Sequence, residues 1–263
     1  MCLILFANDV HPEYPLIFAG NRDEFYERPT APAGFWDDAP HVLAGRDLKE
    51  GGTWLGITRR GHWATVTNVR DERPSSNDAP SRGRLVADYL RDEPAPDAYL
   101  ENLKAEADRY NGFNLLVGTP ESTRYFTNRD GIPRAVPPGI HGMSNARLDA
   151  PWPKVERGTS RLEAFCDEGG RSADVSADVL FDILDDREPA PDDRLPSTGV
   201  GLKTERMLSP PFIDGDEAYG TRASTVLLVH RSGQVMFLER SFDHGVPTET
   251  RDFSLSLRSR TTP

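Results

Sequence analysis

The chain has 263 residues and a formal net charge of −11, from 31 basic and 42 acidic side chains. This acidic balance argues against nucleic acid as a partner. With 37% hydrophobic and 28% charged residues, the composition is that of a globular protein with a buried core, and it excludes disordered and fibrous classes.

The first third of the chain is predicted to form β-strands. Short apolar runs separated by turn-rich segments are typical of paired strands. The predicted strands span residues 2–7, 16–20, 41–44, 53–58 and 62–69.

Helices are predicted in pairs between further strands. Ser81 caps the first helix, Pro96 begins the second, Pro153 begins the third and Ser176 caps the fourth. Strands are predicted at 114–118 and 124–127 between the two pairs, and at 225–229 and 235–239 after a charged, proline-rich loop at 185–199.

This order is not the strand–helix alternation of a doubly wound sheet. It predicts antiparallel sheets covered by helix pairs, in a single domain over residues 1–244. Residues 245–263 are predicted to be a polar C-terminal tail.

We expect a cytoplasmic protein without membrane contact. No apolar run approaches the roughly 18 residues of a membrane-spanning helix. The segment from Met1 to Asp9 lacks a basic region, and its apolar stretch is too short for a secretory signal. Cys2 and Cys166, the two cysteines, cannot build a disulfide framework.

The chain lacks the common phosphate and metal motifs. It contains no Walker A sequence, no G-x-G-x-x-G, no G-x-S-x-G and no H-E-x-x-H. The six histidines show no metal-ligand spacing, so we expect no metal site.

Cys2 is a candidate nucleophile because of its position. A small second side chain permits removal of the initiator methionine, which would leave a thiol and a free α-amine on one residue. An α-amine with a pKa of about 7.7 to 8.0 is suited to act as the base for that thiol. The alternative is that Cys2 is a small hydrophobe at the start of a buried strand.

A polar cluster, Asn21-Arg22-Asp23-Glu24, directly follows the second predicted strand. Such groups are costly to bury unless they pair or bind something. A carboxylate and a guanidinium beside the N-terminus could hold the amine and thiolate in the charge states that catalysis needs. The alternative is a salt-bridged strand end with turn chemistry.

Several motifs together resemble the NRDE-motif family, whose eukaryotic members are called transport and Golgi organisation protein 2. They span nearly the whole chain and include Met1-Cys2-Leu3-Ile4, Asn21-Arg22-Asp23-Glu24, Gly45-Arg46-Asp47, 51–56 (GGTWLG), Thr67-Asn68, 112–116 (GFNLL), Met143-Ser144-Asn145, Pro151-Trp152-Pro153-Lys154 and 220–226 (GTRASTV). The resemblance implies an α+β, four-layer αββα fold of the N-terminal nucleophile (Ntn) hydrolase type. Proposals for the family's activity include haem trafficking and roles in lipid or acyl-coenzyme A metabolism.

A more distant resemblance, to Ntn amidases of the choloylglycine hydrolase type, implies catalytic roles. Those enzymes use, in chain order, a cysteine, an arginine with an acid, two asparagines and a late arginine. The residues matching that order are Cys2, Arg22, Asp23 or Glu24, Asn68, Asn145 and Arg222. In this scheme the two asparagine amides stabilise an oxyanion, and Arg222 fixes the thiolate or a substrate carboxylate.

The amidases resemble Gly-Arg-x-x-Asp, whereas this chain has Gly20-Asn21-Arg22-Asp23-Glu24, so both acids stay candidates. Candidate substrate-binding residues are Asn21, Glu24, Trp54 and Asn114. For Trp54 the alternative is packing in a hairpin, and for Asn114 it is hydrogen bonding to the backbone.

Two functions therefore stay open. The first is a hydrolase that cleaves a linear amide or thioester of a small acyl substrate through Cys2, without a cofactor. The second is a non-enzymatic protein of the same fold that binds haem or an acyl lipid, with Cys2 as a soft haem ligand.

Overall fold

The computed structural model describes residues 2–73, 75–168 and 176–258. Its strands, in chain order, are β1 (Cys2–Asn8), β2 (Leu16–Phe25), β3 (Thr30–Trp36), β4 (Ala39–Asp47), β5 (Leu55–Thr58), β6 (Trp63–Asn68), β7 (Phe113–Thr119), β8 (Ser122–Thr127), β9 (Arg134–Ala135), β10 (Gly139–Met143), β11 (Tyr219–Val229), β12 (Gln234–Asp243) and β13 (Val246–Ser256). Its helices are α1 (Gly83–Asp92), α2 (Pro96–Leu103), α3 (Pro153–Glu168), α4 (Ala177–Leu184) and α5 (Leu202–Met207).

The strands form two antiparallel sheets that pack face to face. The first sheet has the order β10-β1-β2-β11-β12-β13, and the second has the order β3-β4-β5-β6-β7-β8-β9. The α3–α4 pair packs on the outer face of the first sheet, and α1–α2 packs on the outer face of the second. These four layers confirm the predicted αββα architecture.

Alternation along β1 shows how the sequence specifies the layers. Ile4 and Phe6 point into the core between the sheets, whereas Leu3 and Leu5 point to the core beneath α3 and α4. Because both faces are covered, β1 is apolar from Cys2 to Ala7 instead of alternating with polar residues. The candidate nucleophile Cys2 lies at the first position of this rigid central strand.

The polar cluster lies within β2, which continues to Phe25, and does not form a turn after it. Asn21 pairs with Leu3 on β1, and Asp23 pairs with Thr221 on β11. Burial of these polar groups is possible because their side chains are hydrogen-bonded.

Further elements were not anticipated from the sequence: β3, β9, β10, α5 and β13. The strand β13 occupies Val246–Ser256, where we predicted a polar tail, and pairs with β12 at the edge of the first sheet. It is mostly solvent-exposed, so it lacks the apolar alternation that marks a half-buried strand. Residues 259–263 of the predicted tail lie outside the described residues.

The helix starts differ in detail from the prediction. Arg82, not Ser81, occupies the N-cap position of α1. Ser176 stands at the N-cap of α4 as predicted, although its side chain makes no capping hydrogen bond. The charged segment at 185–199 is a loop as predicted, with one short 3₁₀ turn.

Gly52 lets the segment before β5 approach the start of α1. A Cβ at Gly52 would lie 2.5 Å from the carbonyl carbon of Gly83, and the adjacent Thr53 N–H donates to the Gly83 carbonyl at 3.1 Å. We expect Gly52→Ala to lower the free energy of unfolding by about 1–3 kcal/mol, because two backbone segments must separate.

Denaturant unfolding measures this change, and Gly34→Ala is the matched control. A Cβ at Gly34 would meet nothing within 4 Å, so this variant should be close to wild type. Equal effects of the two substitutions would show that the close approach at Gly52 does not matter.

Candidate functional site

The thiol of Cys2 lies in a cleft of about 360 Å³ between the ends of the two sheets. The cleft is lined by the starts or ends of β1, β2 and β6, by the segment before β5 and by the segment before α1. Eight of its lining side chains are charged: Arg22, Asp23, Glu24, Arg28, Asp47, Lys49, Glu50 and Arg82. The arrangement therefore suits a polar ligand beside the Cys2 thiol.

The Cys2 side chain is only 8% exposed and faces the core between the sheets. Burial raises the pKa of its thiol, while a hydrogen bond from the backbone N–H of Asp23 acts in the opposite direction. The thiol is thus neutral near pH 7, and attack on a carbonyl requires a base that removes its proton.

Arg22 and Glu24 form the polar wall next to Cys2. Arg22 pairs in register with Cys2 across β1 and β2. Its guanidinium lies 3.6 Å from the Glu24 carboxylate and donates to the Thr30 hydroxyl at 3.3 Å. Glu24 also lies 3.9 Å from the guanidinium of Arg28. The charge of Glu24 is therefore held by two arginines at the cleft.

Asp23 is the more deeply buried of the two candidate acids. Its Oδ1 accepts a 2.7 Å hydrogen bond from the Thr221 hydroxyl. Burial raises the pKa of its carboxyl, and the positive charge of Lys154 partly opposes this effect. The Asp23 carboxylate adds to the effect of burial in raising the pKa of the Cys2 thiol, so Asp23 is an acid electrostatically coupled to Cys2.

Lys154 is a buried cation behind Asp23 that sequence reasoning missed. It is 2% exposed, and its Nζ donates to the Leu208 carbonyl at 3.1 Å. Burial lowers its pKa to about 8, against the opposing charge of Asp23. The signal in the sequence was the Pro151-Trp152-Pro153-Lys154 motif, which we interpreted only as a helix start.

This burial predicts a pH dependence of stability. Between pH 8 and the ordinary pKa of 10.5, the folded chain has released the Lys154 proton and the unfolded chain still holds it, so folding is favoured as pH rises. We expect wild type to gain about 2 kcal/mol relative to Lys154→Met between pH 8 and 10, measured by urea unfolding. Parallel stability profiles of the two proteins would contradict this expectation.

Asn68 and Asn145 lie against each other at the end of β6. The Asn145 Nδ2 donates to both the backbone carbonyl and the Oδ1 of Asn68, at 2.9 and 3.0 Å. The Ser144 hydroxyl links this pair to the Cys2 backbone carbonyl at 2.8 Å. Asn68 lines the cleft, and its Oδ1 is held by Asn145. Within the described residues nothing accepts from its Nδ2, so that group is available to a ligand.

Asn21 and Asn114 do not line this cleft. The Asn21 Nδ2 donates to the carbonyls of Leu184 and Pro211, on the helical side of the first sheet. The Asn114 Nδ2 donates to Thr67 and to the Ala146 carbonyl, and thereby fastens the loop that carries Asn145. The side-chain amides of both residues are thus used in hydrogen bonds to other parts of the protein.

Arg222 lines a neighbouring cavity of about 250 Å³ instead of the Cys2 cleft. It sits at a bulge in β11, and its guanidinium donates to the backbone carbonyls of Phe25 and Tyr26. Trp54 and Arg22 line both cavities, so they form the wall between them.

A buried ion pair supports the loop of Asn145 from behind. The Arg70 guanidinium lies 2.7 Å from Glu205 on α5, and the backbone N–H of Arg70 donates to the Asn145 carbonyl at 2.8 Å. Arg70 also lies over the ring of Trp152. This pair was missed because its partners are 135 positions apart in the sequence.

Comparison with known families identifies the family of the chain. A family model described as "Transport and Golgi organisation 2" matches residues 1–244. The chain belongs to this family. The result agrees with the resemblance that the NRDE and accompanying motifs indicated.

Similar proteins occur in mammals. The chain is 38% identical to a Transport and Golgi organization protein 2 homolog of Bos taurus and 37% identical to that of Homo sapiens, in each case over 98% of this chain and 100% of the relative. A Drosophila melanogaster relative is 32% identical, with 92% of each chain covered. Family membership thus extends over nearly the full length.

Two solved structures resemble the fold more distantly. One is the C2A mutant of a conjugated bile acid hydrolase from Clostridium perfringens, with a TM-score of 0.49, 10% identity, and coverage of 98% of this chain and 92% of that chain. The other is a Caenorhabditis elegans ortholog of N-acylethanolamine-hydrolyzing acid amidase, with a TM-score of 0.39, 9% identity, and coverage of 86% and 92%. Neither likeness extends to what this chain binds or cleaves.

Among the described residues no helix is both long and apolar enough to cross a bilayer. Over the same residues, no group of three or more His, Cys, Asp and Glu side chains could hold a metal ion.

Proposed function

We propose that the chain is a hydrolase that cleaves a linear amide or thioester of a small acyl substrate through Cys2. The observation that carries the proposal is a cysteine sulfur in a polar cleft that also presents the Asn68 amide. Nucleophile and hydrogen-bond donor on one cleft are the two groups that acyl transfer requires.

The reaction begins once removal of Met1 has exposed the α-amine of Cys2. This amine takes the thiol proton, and the sulfur forms a bond to the acyl carbon. The tetrahedral intermediate collapses as the bond to the leaving nitrogen or sulfur breaks, and the leaving group takes the proton from the ammonium. Water then attacks the Cys2 thioester, which releases the acid and regenerates the thiol.

Charged neighbours assist each stage of this scheme. Asp23 is the acid that holds the developing ammonium, since its carboxylate lies close enough to Cys2 to act on the charge of that residue. Arg22 pairs with Cys2 across the strands and stabilises negative charge on the sulfur. Lys154 behind Asp23 favours the ionised form of that carboxyl.

Asn68 and Asn145 have different roles in this proposal. Asn68 donates to the oxyanion through its Nδ2, because its Oδ1 is already held by Asn145. Asn145 is a positioning residue, since both hydrogens of its amide are used on Asn68.

We expect Asn68→Ala to reduce kcat for acyl transfer about 100-fold or more, as removal of an oxyanion donor does. Pre-steady-state kinetics on a thioester substrate measures the acylation step. Asn111→Ala is the matched control, because Asn111 also lines the cleft but spends its amide on Ser76. Equal losses in the two variants would exclude a specific donor role for Asn68.

Binding of haem or an acyl lipid stays a prediction of the family resemblance. The charged lining of the Cys2 cleft favours a polar ligand and gives no apolar slot for a porphyrin or a long acyl chain. Equilibrium titration with haemin and with an acyl-coenzyme A tests this alternative. Saturable binding at micromolar protein would support it, and its absence would remove it.

A panel of N-acyl amides and acyl thioesters, incubated with wild type and with Cys2→Ala, tests the hydrolase proposal. We expect wild type alone to release acid from at least one chemical class of substrate. Identical release by the two proteins across the panel would overturn the proposal.

A further inference from the structure

Arg82 is a half-buried guanidinium at the Cys2 cleft. It stands at the N-cap of α1 and lines the same cleft as Cys2. Within the described residues the Arg82 guanidinium makes one hydrogen bond, from Nη1 to the Gly112 carbonyl at 3.1 Å, and no acidic side chain there lies within ion-pair distance of it. Its remaining N–H groups are therefore available to a ligand.

The other guanidinium groups of the cleft differ from Arg82 in this respect. Arg28 is paired with Asp47 at 2.5 Å, and Arg22 is paired with Glu24 at 3.6 Å. Lys49 is exposed at the rim, where solvent screens its charge. Among the described cations of the cleft, Arg82 thus combines partial burial with the lack of an ion pair, as a group that binds an anionic ligand would.

Arg82 lies close enough to Cys2 for their charges to interact. Burial lowers the pKa of Arg82, and among the groups that act in the opposite direction when charged, Cys2 has the largest effect. A half-buried arginine without a carboxylate carries an unmet desolvation cost, which an anionic ligand would offset.

We infer that the substrate carries an anionic group, a carboxylate or a phosphate, which Arg82 binds while Cys2 attacks the acyl carbon. The inference rests on the proposed function and adds a substrate class to it. The planar fork of an arginine binds either anion through two parallel hydrogen bonds, so Arg82 would fix orientation as well as charge.

Two alkylating reagents that differ in charge, one anionic and one neutral, test the inference. In both reactions the Cys2 thiolate forms a sulfur–carbon bond and iodide leaves, but iodoacetate is anionic and iodoacetamide is neutral. A change in the thiolate population alters both rates equally. The ratio of the two rates therefore reports only how the cleft treats the charge of the reagent.

We expect the iodoacetate-to-iodoacetamide ratio at Cys2, measured by peptide mass spectrometry, to fall about fivefold in Arg82→Gln. Arg82→Lys should retain most of the ratio because it keeps the charge. Arg134→Gln, which removes an equal charge from the exposed strand β9, should match wild type. An unchanged ratio in Arg82→Gln would overturn the inference. If Cys2 of the wild-type protein does not react with iodoacetamide, that result would instead count against the proposed function.

Calorimetric titration with acetate and with inorganic phosphate keeps the inference testable if Cys2 does not alkylate. We expect wild type to bind at least one of the two anions saturably and Arg82→Gln to bind it at least fivefold more weakly. The preferred anion identifies the substrate as a carboxylate or a phosphate. No binding of either anion by wild type, or equal binding by both proteins, would overturn the inference.

Discussion

Cys2→Ala should reduce acyl transfer about 1,000-fold or more, since the reaction loses the atom that forms the covalent intermediate. The protein should still fold, because Cys2 is the first residue of β1 and alanine fits the same small, buried position. Release of acid from a thioester substrate measures the activity, and circular dichroism checks the fold. Full activity in a folded Cys2→Ala protein would exclude covalent catalysis by this residue.

Cys166→Ala is the matched control for this experiment. Cys166 lies in α3, and burial raises the pKa of its thiol to about 11, so few molecules hold it as a thiolate near neutral pH. We expect this variant to retain wild-type activity. Equal losses in the two cysteine variants would point to a general effect of thiol removal instead of a role for Cys2.

Glu205→Ala should lower the free energy of unfolding by about 3–5 kcal/mol, because it removes the carboxylate that pairs with the buried guanidinium of Arg70. The Glu205 carboxylate accepts from Arg70 at 2.7 Å and from the Thr198 N–H and hydroxyl at 2.9 and 2.6 Å. Acyl transfer should fall as well, since Arg70 also holds the backbone of Asn145. Urea unfolding and the thioester assay measure the two effects.

Glu156→Ala removes a similar contact from the surface. Glu156 and Arg194 approach to 2.5 Å, but both side chains are about half exposed, so we expect a change within about 0.5 kcal/mol. A surface pair that matches the Glu205 effect would mean that burial does not set the cost.

Local patterns predicted the layers because each strand and helix near the core has its own apolar repeat. β1 is apolar on both faces, and α1 presents Leu85, Val86, Tyr89 and Leu90 at helical spacing. The strand β13 was not predicted because it is a mostly exposed edge strand. The predicted β2 was too short because residues 21–24 of the strand are polar. Those polar residues are stabilised by partners that are distant in the sequence.

Some residues of the candidate site could likewise be predicted from the sequence, and others could not. Cys2 and Asn68 could be selected from position and motif, and both line one cleft. Lys154 and Glu205 could not, because their importance comes from burial near Asp23 and Arg70, which only the folded chain brings close. Asn21 and Asn114 have similar chemistry to Asn68, but their hydrogen bonds in the fold place them away from the cleft.

The proposed reaction requires Cys2 to be an accessible N-terminal nucleophile. The most direct test is the intact mass of the purified protein before and after exposure to a thiol-directed acyl electrophile. We predict loss of Met1 and a single adduct that maps to Cys2 and not to Cys166. Retained Met1 together with an unreactive Cys2 would contradict the account, because the base for the thiol would be absent.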